Sequence, residues 1–421
     1  MRIWLIKAGE PLPIDGKDIR LFRMGILATM LAQRNHEVTW WTSTVDHVRK
    51  KHRFSDNTRL KISGNFEIRL MKSILYKKNV GIARIVNHHR EAHIFSVWAT
   101  QMVPPDVIVC SMPTIEFSLA AVRYGRKHQV PVILDIRDLW PDIFLELGPR
   151  WAEPVLGLFL KYWWKGLNEA CSGATAIAGI TEEFVEWGLQ HAGRARSQLD
   201  QCFPHGYSEE KVSTEAIAEA IRKWGRFGIP RKLGGFIVCF FGNFGRQFEL
   251  ETVIEAAQKL KKGNQGIQFV LCGNGDRYSY YRNLAKDCDN IIFPGRVNAV
   301  EIYALMKLSS VGLAPYLSNP GFVTNLPNKP IEYMSMGLPI VSSLKGVLQD
   351  LLKEHRCGLT YKNYDAEGLV RILCDLYDHP QHLAELSENS YNLFIQKYTS
   401  SKVYGNMCTY LEGITSQKLP L

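Results

Sequence analysis

The sequence lacks the features of several large protein classes. Its nine cysteines are scattered and form no Cys-x-x-Cys pair, which argues against a disulfide framework and against structural zinc. No apolar run approaches the roughly 18 residues of a membrane span, and the segment Met1–Lys7 is too short for a signal peptide. No nucleic-acid-binding motif accompanies the basic residues. We therefore expect a cytoplasmic protein that binds no nucleic acid.

The composition indicates a globular protein with an uneven charge. The chain has 421 residues, which is too long for one ordinary core and predicts two domains. The formal net charge is +10, and the segment Arg49–Arg90 alone holds twelve Lys or Arg residues against two acidic ones. This segment favours a peripheral contact with an anionic membrane surface, on the inner face of the cell membrane. The alternative is an ordinary solvated surface.

Both halves of the chain alternate short apolar runs with helical patterns, which is typical of parallel sheets covered on both faces. In the first half the predicted strands are residues 2–7, 36–42, 106–110, 130–135 and 174–178, and the helices are 17–34, 115–128 and one from Thr181. In the second half the predicted strands are 236–241, 267–272, 291–293, 311–314 and 339–342, and the helices are 250–261, 279–287, 299–307, 366–377, 381–397 and 402–413. A glycine-rich stretch within 206–235 marks the boundary.

Glycine recurs at the carboxyl ends of three strands in the second half. Because open parallel sheets bind ligands beyond these ends, missing side chains let backbone N–H groups approach a phosphate, base or ribose. A single glycine there is usually only a turn, whereas three successive glycine loops predict a binding site. The loops are Gly242-Asn243-Phe244-Gly245, Gly273-Asn274-Gly275 and Pro294-Gly295-Arg296.

The stretch 319–343 predicts a loop, a short helix and a buried strand. The helix starts near Pro327 and ends at Gly337, and Lys329 and Glu332 lie one turn apart on it. A cation and a carboxylate at a helix N-terminus suit a nucleoside diphosphate sugar, because the phosphates favour the cation and the N–H groups while the hydroxyls favour the carboxylate. The alternative is a capped surface helix with an i,i+3 ion pair.

These motifs, with the segments Asp135-Ile-Arg-Asp-Leu-Trp-Pro-Asp142 and 327–341, resemble glycosyltransferase family 4, the retaining GT-B enzymes. Segment 135–142 is similar to the branch of bacterial N-acetylfucosaminyl and related transferases that build surface polysaccharides on lipid carriers. The resemblance implies an α/β GT-B fold, with two doubly wound Rossmann-like domains facing a central cleft. It implies an acceptor-binding domain at 1–206, a donor-binding domain at 207–395, and a C-terminal helix at 396–421 that returns to the first domain.

The resemblance also implies roles for single residues around the donor. Glu332 would hold the ribose hydroxyls, and Lys329 and Arg246 would contact the diphosphate. Two positions depart from the family, because Thr324 stands where a second glutamate is common, and Gln247 or Phe248 stands where a lysine is usual. The other implied donor contacts are Gly242, Asn243, Gly245, Gly275, Gly295, Arg296 and Val297.

Glycosyl transfer breaks the bond from the anomeric carbon to the diphosphate, so negative charge grows on the leaving phosphate. Arg246, Lys329 and the loop amides can stabilise that charge without a metal, and we expect neither a metal nor a cofactor. Retention of configuration is implied by the family alone.

The acceptor side is predicted at the carboxyl end of the strand that closes with Asp135. Asp138 is the candidate acid/base, and Arg137 is the candidate contact for an acceptor or donor phosphate. The alternative for Asp138 is a local pair with Arg137 in which it caps the next turn. Further acceptor-side candidates are Asp15, Gly16, Asp135 and His205, although a lone histidine in a turn is more often structural.

A predicted helix around Trp163 and Trp164 permits two interpretations. Most of its apolar residues suit a core position, which is the favoured interpretation. The adjacent tryptophans are also flanked by Lys161 and Lys165, an arrangement typical of a helix at a membrane surface.

The pattern as a whole predicts a glycosyltransferase that moves a sugar from a nucleoside diphosphate to a lipid-linked or saccharide acceptor. The expected donor is a UDP-sugar, such as an N-acetylated amino sugar. Two alternatives stay open: a nucleotide-sugar epimerase or hydrolase of the same fold, and a non-catalytic partner that binds a nucleotide sugar.

Overall fold

A computed structural model describes residues 1–16, 19–47, 49–76, 81–147, 153–208, 212–229, 235–263 and 266–416. The chain divides into two compact units. Unit 1 combines Met1–Gly206 with the segment that begins at Ser400, and unit 2 is Tyr207–Thr399. The last helix of the chain therefore belongs with the first half.

Unit 1 is built on an eight-stranded sheet in the order β10-β9-β8-β7-β1-β2-β6-β5. Every neighbouring pair is parallel except β5 with β6. The strands are β1 (Arg2–Ile6), β2 (Glu37–Ser43), β5 (Thr58–Lys61), β6 (Phe66–Met71), β7 (Val107–Met112), β8 (Val132–Ile136), β9 (Ala176–Gly179) and β10 (Gln201–Cys202). A separate antiparallel pair is formed by β3 (Val45–Asp46) and β4 (Lys51–His52).

Helices cover both faces of this sheet, and the side chains of β2 alternate between the two cores that result. Trp40 lies in one core with Leu5, while Trp41 lies in the other core with Trp4 and Phe95. Successive strand residues point to opposite faces, so two adjacent tryptophans fill two separate cores. The helices of unit 1 are α1 (Arg23–Gln33), α2 (Ile82–Ala99), α3 (Ile115–His128), a 3-10 helix (Asp142–Leu147), α4 (Glu153–Gly173), α5 (Glu182–Ala192) and α15 (Ser400–Ser416).

Unit 2 has a six-stranded parallel sheet in the order β13-β12-β11-β14-β15-β16. Its strands are β11 (Phe236–Asn243), β12 (Ile267–Asn274), β13 (Ile291–Gly295), β14 (Val311–Ala314), β15 (Ile340–Ser342) and β16 (Gly358–Thr360). Its helices are α6 (Thr214–Arg226), α7 (Leu250–Lys262), α8 (Tyr278–Leu284), α9 (Ala299–Leu308), α10 (Pro320–Val323), α11 (Asn328–Ser335), α12 (Val347–Glu354), α13 (Ala366–Asp378), α14 (Pro380–Leu393) and a π-helical turn at Phe394–Tyr398.

The structure corrects the sequence prediction at several elements. The strand at Ile340–Ser342 does not complete the second sheet, because β16 pairs beyond it. The basic segment contains β4, β5, β6 and the start of α2, none of which were predicted, and α6 lies in the predicted boundary. Helix α1 begins at Arg23, where Glu10 Oε2 accepts a hydrogen bond from the Met24 backbone N–H at 3.0 Å. Of the residues predicted to precede it in the helix, Lys17 and Asp18 lie outside the described residues.

Candidate functional site

The three glycine loops lie side by side in unit 2. Strands β13, β12 and β11 are neighbours, and their register pairs Gly273 with Gly242 and Cys272 with Gly295. Parallel strands end at the same edge, so the loops open toward one side of the sheet. The next strand, β14, leads on to α10 and α11 at that edge. The spatial grouping expected from the sequence is therefore present.

Two of these glycines are required by close backbone contact. A Cβ on Gly273 (φ +144°) would lie 1.8 Å from the Gly242 carbonyl oxygen, and one on Gly275 (φ +157°) would lie 2.7 Å from the Phe244 carbonyl oxygen. Any side chain larger than hydrogen would push the first two loops apart. The loops therefore pack backbone against backbone, which keeps main-chain donors at the sheet edge.

Lys329 lies over the first glycine loop. A Cβ on Gly242 would lie 2.7 Å from Lys329 Cε, so the lysine stem occupies the space that the missing side chain leaves. The ammonium Nζ lies 4.9 Å from the Phe248 ring centroid and 5.9 Å from that of Tyr316. Burial lowers the pKa of the Lys329 ammonium, while the charge of Glu332 opposes that decrease. The lysine is thus held by aromatic faces at the edge where the glycine loops end.

Glu332 lies one turn further along α11, and it is buried. The helix begins after Pro327, whose extended backbone (φ −64°, ψ 156°) forms the N-cap, as predicted. Gly337 ends it with a left-handed backbone (φ +66°), and the Leu338 backbone N–H donates to the Tyr333 carbonyl at 3.0 Å. The boundaries of this helix fix the spacing between the cation and the carboxylate.

The other predicted donor contacts differ in exposure. Arg246 and Arg296 are exposed, and Arg246 makes no ion pair with any residue that the structure describes. Val297 packs partly against the unit 2 core. Tyr278 was not predicted, yet its ring stacks on Phe244 with centroids 5.5 Å apart, and its hydroxyl donates to the Phe293 carbonyl at 3.4 Å. It places an aromatic ring beside the third glycine loop.

Phe248 and Thr324, at the two positions that depart from the family pattern, both make local contacts within unit 2. Phe248 is buried and forms an antiparallel bridge with Tyr316, and its ring supports Lys329 from below. Thr324 closes α10, and its hydroxyl donates to the Pro320 carbonyl at 3.4 Å. Lys329 thus places a positive charge beside Phe248 and the first glycine loop.

On the acceptor side, Asp135 differs from the expectation that it faces a ligand. It forms a bidentate ion pair with Arg23, with Nε–Oδ2 at 2.9 Å and Nη2–Oδ1 at 2.7 Å. Both side chains are fully buried. Arg23 also donates from Nη1 to the carbonyls of Phe203 and Pro204, both at 2.9 Å. Asp135 therefore ties α1 to β8 and to the segment after β10.

Arg137 and Asp138 do not form the local pair that was the alternative for Asp138. Arg137 forms an ion pair with Glu10, whose charge raises the pKa of the guanidinium although burial alone would lower it. Asp138 is exposed, and the protein around it raises the pKa of its carboxyl by desolvation, against the opposing charges of Lys7, Arg137 and Arg84. A carboxyl with a raised pKa beside cations is typical of functional sites.

His205 lies close enough to Arg137 and Arg23 for both charges to act on it. Burial, and then these two guanidinium groups, lower the pKa of the His205 imidazole well below its usual value. The ring is therefore neutral at pH 7. A neutral imidazole has one donor and one acceptor nitrogen, which suits contact with a hydroxyl group.

The loop with Asp15 and Gly16 is anchored by the basic segment. Arg53 pairs with Asp15 through Nε–Oδ1 at 2.7 Å and Nη2–Oδ2 at 2.6 Å, and both side chains are buried. This hydrogen-bonded pair lowers the pKa of Asp15, although burial opposes the shift. Gly16 is exposed, with an open surrounding. Part of the positive charge predicted for a membrane surface is thus internal to unit 1.

The tryptophan pair of α4 is attached to the core of unit 1. Trp163 Nε1 donates to Glu116 Oε1 at 3.2 Å, and Trp164 Nε1 donates to Asp142 Oδ1 at 2.6 Å. Both rings pack against buried apolar residues, which supports the core interpretation. Among the described residues, the helices are all too short or too polar to cross a membrane.

Metal ligands do not gather anywhere in the described part of the chain: it holds no group of three His, Cys, Asp or Glu side chains suited to an ion. The sequence prediction overlooked one Asp-x-Asp triplet, Asp287-Cys288-Asp289. This triplet precedes β13, whereas the glycine loops follow the strands. Because it precedes β13, the triplet lies at the opposite end of the sheet from Lys329. Asp289 pairs with Lys261 at 3.1 Å and is otherwise exposed.

Comparison with known proteins places this site in a family context. Residues 222–393 match the family of glycosyl transferases group 1, which covers most of unit 2. The chain is 26% identical over 128 residues to WcaL of Escherichia coli (strain K12), which is named as a colanic acid biosynthesis glycosyltransferase. That match covers 30% of this chain and 32% of WcaL, so the chain spans about a third of the length of this relative.

Solved structures show the same fold over nearly the whole chain. A sucrose-phosphate synthase from Thermosynechococcus elongatus aligns with a TM-score of 0.71 and 15% identity, covering 99% of both chains. Anabaena Alr3699/HepE in complex with UDP-glucose aligns with a TM-score of 0.64 and 13% identity, covering 99% of this chain and 100% of its own. The chain therefore has the GT-B fold of two Rossmann-like domains, and its residues 222–393 are similar to the glycosyl transferases group 1 family.

Proposed function

We propose that this protein is a glycosyltransferase that moves a sugar from a nucleoside diphosphate to a lipid-linked or saccharide acceptor in surface polysaccharide synthesis. The observation that carries the proposal is the position of Lys329 against the first of three adjacent glycine loops, with Glu332 one turn further along α11. The family match of unit 2 supports the reaction class. The UDP-glucose complex of HepE and the name of WcaL favour a UDP-sugar donor and a polysaccharide product.

The donor is assigned to unit 2. Lys329, Arg246 and the amides of the glycine loops bind the diphosphate, and Glu332 accepts hydrogen bonds from the ribose hydroxyls. The base lies against Gly295, Arg296 and Val297. Gly242, Asn243, Gly245 and Gly275 line the rest of the donor site.

The reaction exchanges one bond at the anomeric carbon for another. The bond to the diphosphate oxygen breaks, and the nucleoside diphosphate leaves with the electron pair. An acceptor hydroxyl oxygen forms the new glycosidic bond, and its proton passes to Asp138 as general base. Lys329 and Arg246 stabilise the charge that develops on the leaving phosphate, so the step needs no metal. Retention of configuration follows the family pattern.

The acceptor is assigned to unit 1. Arg137 and the neutral His205 ring orient acceptor groups near Asp138, with Gly16 as an open position in the loop held by Asp15. Asp135 is not assigned a ligand, because its carboxylate is occupied by Arg23. The acceptor-side proposal therefore depends on Asp138, Arg137 and His205.

Thermal unfolding with and without nucleotides tests the donor site. A ligand present at a hundred times its Kd stabilises a protein by about 2.7 kcal/mol. We expect selective stabilisation by UDP over GDP, ADP and dTDP, with no effect of EDTA. Glu332→Ala should abolish the shift, whereas Glu388→Ala on the exposed face of α14 should preserve it.

Turnover assays distinguish the remaining alternatives. UDP release from a UDP-sugar that requires an acceptor supports the transferase. Release or isomerisation of the sugar with no acceptor favours a hydrolase or an epimerase. Binding without turnover against any acceptor favours the non-catalytic partner, and no nucleotide response in folded protein contradicts the donor site.

A peripheral contact with an anionic membrane is a second part of the proposal. Helices α2 and α4 share a face of unit 1, where the rings of His89 and Tyr162 stack with centroids 6.2 Å apart. Leu158 and Tyr162 are 63% and 64% exposed, and Lys161 and Lys165 beside them are exposed cations. Apolar groups flanked by lysines suit the headgroup region of an anionic bilayer.

Vesicle flotation tests this contact. Binding to phosphatidylcholine vesicles that contain phosphatidylglycerol should be lost in the double variant Leu158→Glu/Lys161→Glu. Lys262→Glu reverses the charge of one exposed lysine on α7, as Lys161→Glu does on α4, and should bind like the wild type. Equal flotation of both variants would reject the α4 face as the contact.

A further inference from the structure

Unit 1 holds a group of basic side chains at the carboxyl edge of its sheet, which we call the cationic cluster: Lys7, His47, Lys50, Arg84 and His88. Lys7 directly follows β1, and its Nζ donates to the Pro113 carbonyl at 3.1 Å. Lys50 Nζ lies 3.5 Å from His47 Nδ1. Three separate segments of the chain supply these groups, so their proximity is a product of the fold.

Aromatic rings hold the cations of the cluster in place. Lys50 Nζ lies 4.9 Å from the Tyr76 ring centroid, and the Arg84 guanidinium carbon lies 4.9 Å from the Trp140 centroid and 5.9 Å from that of Tyr76. The Tyr76 hydroxyl and His47 Nδ1 are hydrogen-bonded at 2.7 Å. Aromatic rings attract cations, so these contacts help to position Lys50 and Arg84.

The cluster produces a positive potential that acts on its own members. Burial, followed by the charges of Lys50 and Arg84, lowers the pKa of His47 to about 4. Burial and Arg84 lower the pKa of His88 to about 3, and burial and Arg137 lower that of Lys7 to about 8. At pH 7 the two imidazoles are therefore neutral, while Lys7 is mainly protonated.

Two acidic groups lie at the cluster itself: Glu116 Oε2 is 3.7 Å from His88 Nδ1, and the Arg84 charge acts on Glu91, whose pKa burial raises. Other acidic groups nearby have cationic partners outside the cluster. Glu10 pairs with Arg137, Asp135 pairs with Arg23, and Asp46 lies 3.8 Å from Arg53. Asp138 has a raised pKa, and Lys7 and Arg84 are among the charges that act on its carboxyl. The charges of the cluster therefore act electrostatically on the proposed base.

We propose that the cationic cluster binds a phosphate group of the acceptor, which makes the acceptor a phosphorylated molecule. This inference rests on the proposed function and names the acceptor's chemical class. Lys7, Lys50 and Arg84 supply the charge that phosphate oxygens require, and the neutral rings of His47 and His88 supply hydrogen-bonding nitrogens. A phosphate held there lies near Asp138, which takes the proton of the acceptor hydroxyl.

The same phosphate chemistry is found in a lipid carrier and in a soluble sugar phosphate. Binding is measured by calorimetry on the full chain saturated with UDP, so that the donor phosphate site is filled. The probes are inorganic pyrophosphate, geranyl diphosphate and glucose 6-phosphate. Tighter binding of geranyl diphosphate than of pyrophosphate assigns a lipid carrier, whereas tighter binding of glucose 6-phosphate assigns a sugar phosphate.

The decisive variant is Lys50→Ala/Arg84→Ala, with Lys51→Ala as its matched control. Lys51 is the exposed neighbour of Lys50 and lies outside the cluster. We expect the double variant to weaken pyrophosphate binding by at least about tenfold, since two charge-assisted contacts are lost, and the control to change it by less than twofold. UDP binding by each variant reports whether the protein is folded.

Three results would overturn the inference. They are pyrophosphate binding that is unchanged in the double variant, binding that disappears once UDP saturates the protein, and no binding by the wild type. Failure of the proposed function is a different observation, because it appears as the absence of UDP binding. A protein that binds UDP normally and ignores all three phosphate probes rejects only the phosphorylated acceptor.

Discussion

Arg23 and Asp135 form a bidentate ion pair with both side chains fully buried, and 112 residues separate them in the sequence. Removing one partner leaves an uncompensated charge in the core, which typically costs about 3–5 kcal/mol. We therefore expect Arg23→Met to destabilise unit 1 strongly, as measured by denaturant unfolding. Asp135→Asn should have a smaller effect of the same sign, because the amide keeps one acceptor oxygen.

Asp56→Asn is the matched control for this pair. Asp56 pairs with Lys72 at 2.6 Å, but its side chain is 72% exposed. Exposed ion pairs contribute about 0–1 kcal/mol, so this variant should unfold like the wild type. Equal stability of Arg23→Met and wild type would contradict the structural role of the pair.

The sequence predicted the regular α/β elements well where apolar runs were continuous. Helix α3 has the predicted bounds, and the predicted start and stop of α11 agree with the structure. The Arg23–Asp135 pair could not be predicted from the sequence, because a sequence motif shows which residues follow one another and not which residues are in contact in the folded protein. Asp135 therefore appeared to be a ligand contact.

The secondary structure of the basic segment was not predicted from the sequence, for a related reason. Charged residues alternate within β5 and β6, where Glu67 pairs with both Arg59 and Arg69. The guanidinium carbon of Arg69 lies 5.1 Å from the Trp98 ring centroid. When only the composition is considered, a strand whose charges are neutralised by neighbouring side chains cannot be distinguished from a solvated surface. The structure was needed to separate these internal charges from the cationic cluster.

Alanine substitutions at Gly242 and Gly273, which are paired across neighbouring strands, should affect different properties of the protein. At Gly242 the new Cβ would meet the flexible end of Lys329 at 2.7 Å, so the lysine can move at little cost to the fold. At Gly273 it would meet the Gly242 carbonyl oxygen at 1.8 Å, and the backbone (φ +144°) already disfavours a side chain.

We therefore expect Gly242→Ala to weaken UDP binding about tenfold, or 1.4 kcal/mol, with little change in Tm. Gly273→Ala should lower the stability of unit 2 by more than about 2 kcal/mol. Calorimetry with UDP and thermal unfolding measure the two effects separately. A Gly242→Ala protein with wild-type UDP affinity would contradict the assignment of Lys329 to the diphosphate.

Replacement of Asp138 should affect the chemical step and leave donor binding unchanged. A general base typically contributes about 10²–10⁴-fold to the rate, so Asp138→Asn should lower kcat by this factor with an unchanged Kd for UDP. Because desolvation by the surrounding protein raises the pKa of this carboxyl, the carboxylate forms only above that raised pKa. The rate should therefore increase with pH through it, and Asp138→Glu should recover part of the activity. An Asp138→Asn enzyme with wild-type kcat would exclude this base.

Lys7 should make phosphate binding weaken at alkaline pH. Its pKa of about 8 means that it loses its charge as pH rises from 7 to 9.5, so the affinity for pyrophosphate should fall by about tenfold. The Lys7→Arg variant keeps its positive charge over this range. The ratio of the pyrophosphate Kd values of wild type and variant at each pH therefore separates the titration of Lys7 from that of pyrophosphate itself. The titratable and charged groups that face Lys7 are Glu10, His47, His88, Cys110, Asp135, Arg137 and Asp138.

Unfolding measurements check the same Lys7 pKa independently of any ligand. The unfolded chain has the ordinary lysine pKa of 10.5, so between about 8 and 10.5 it binds more protons than the folded chain. Stability should therefore rise with pH in this window relative to Lys7→Met, in which the burial of the ammonium is absent. A wild type and a Lys7→Met variant with parallel stability profiles would show that Lys7 titrates normally. An alkaline loss of phosphate binding would then point to Lys50, whose pKa is lowered by burial and by the charge of Arg84.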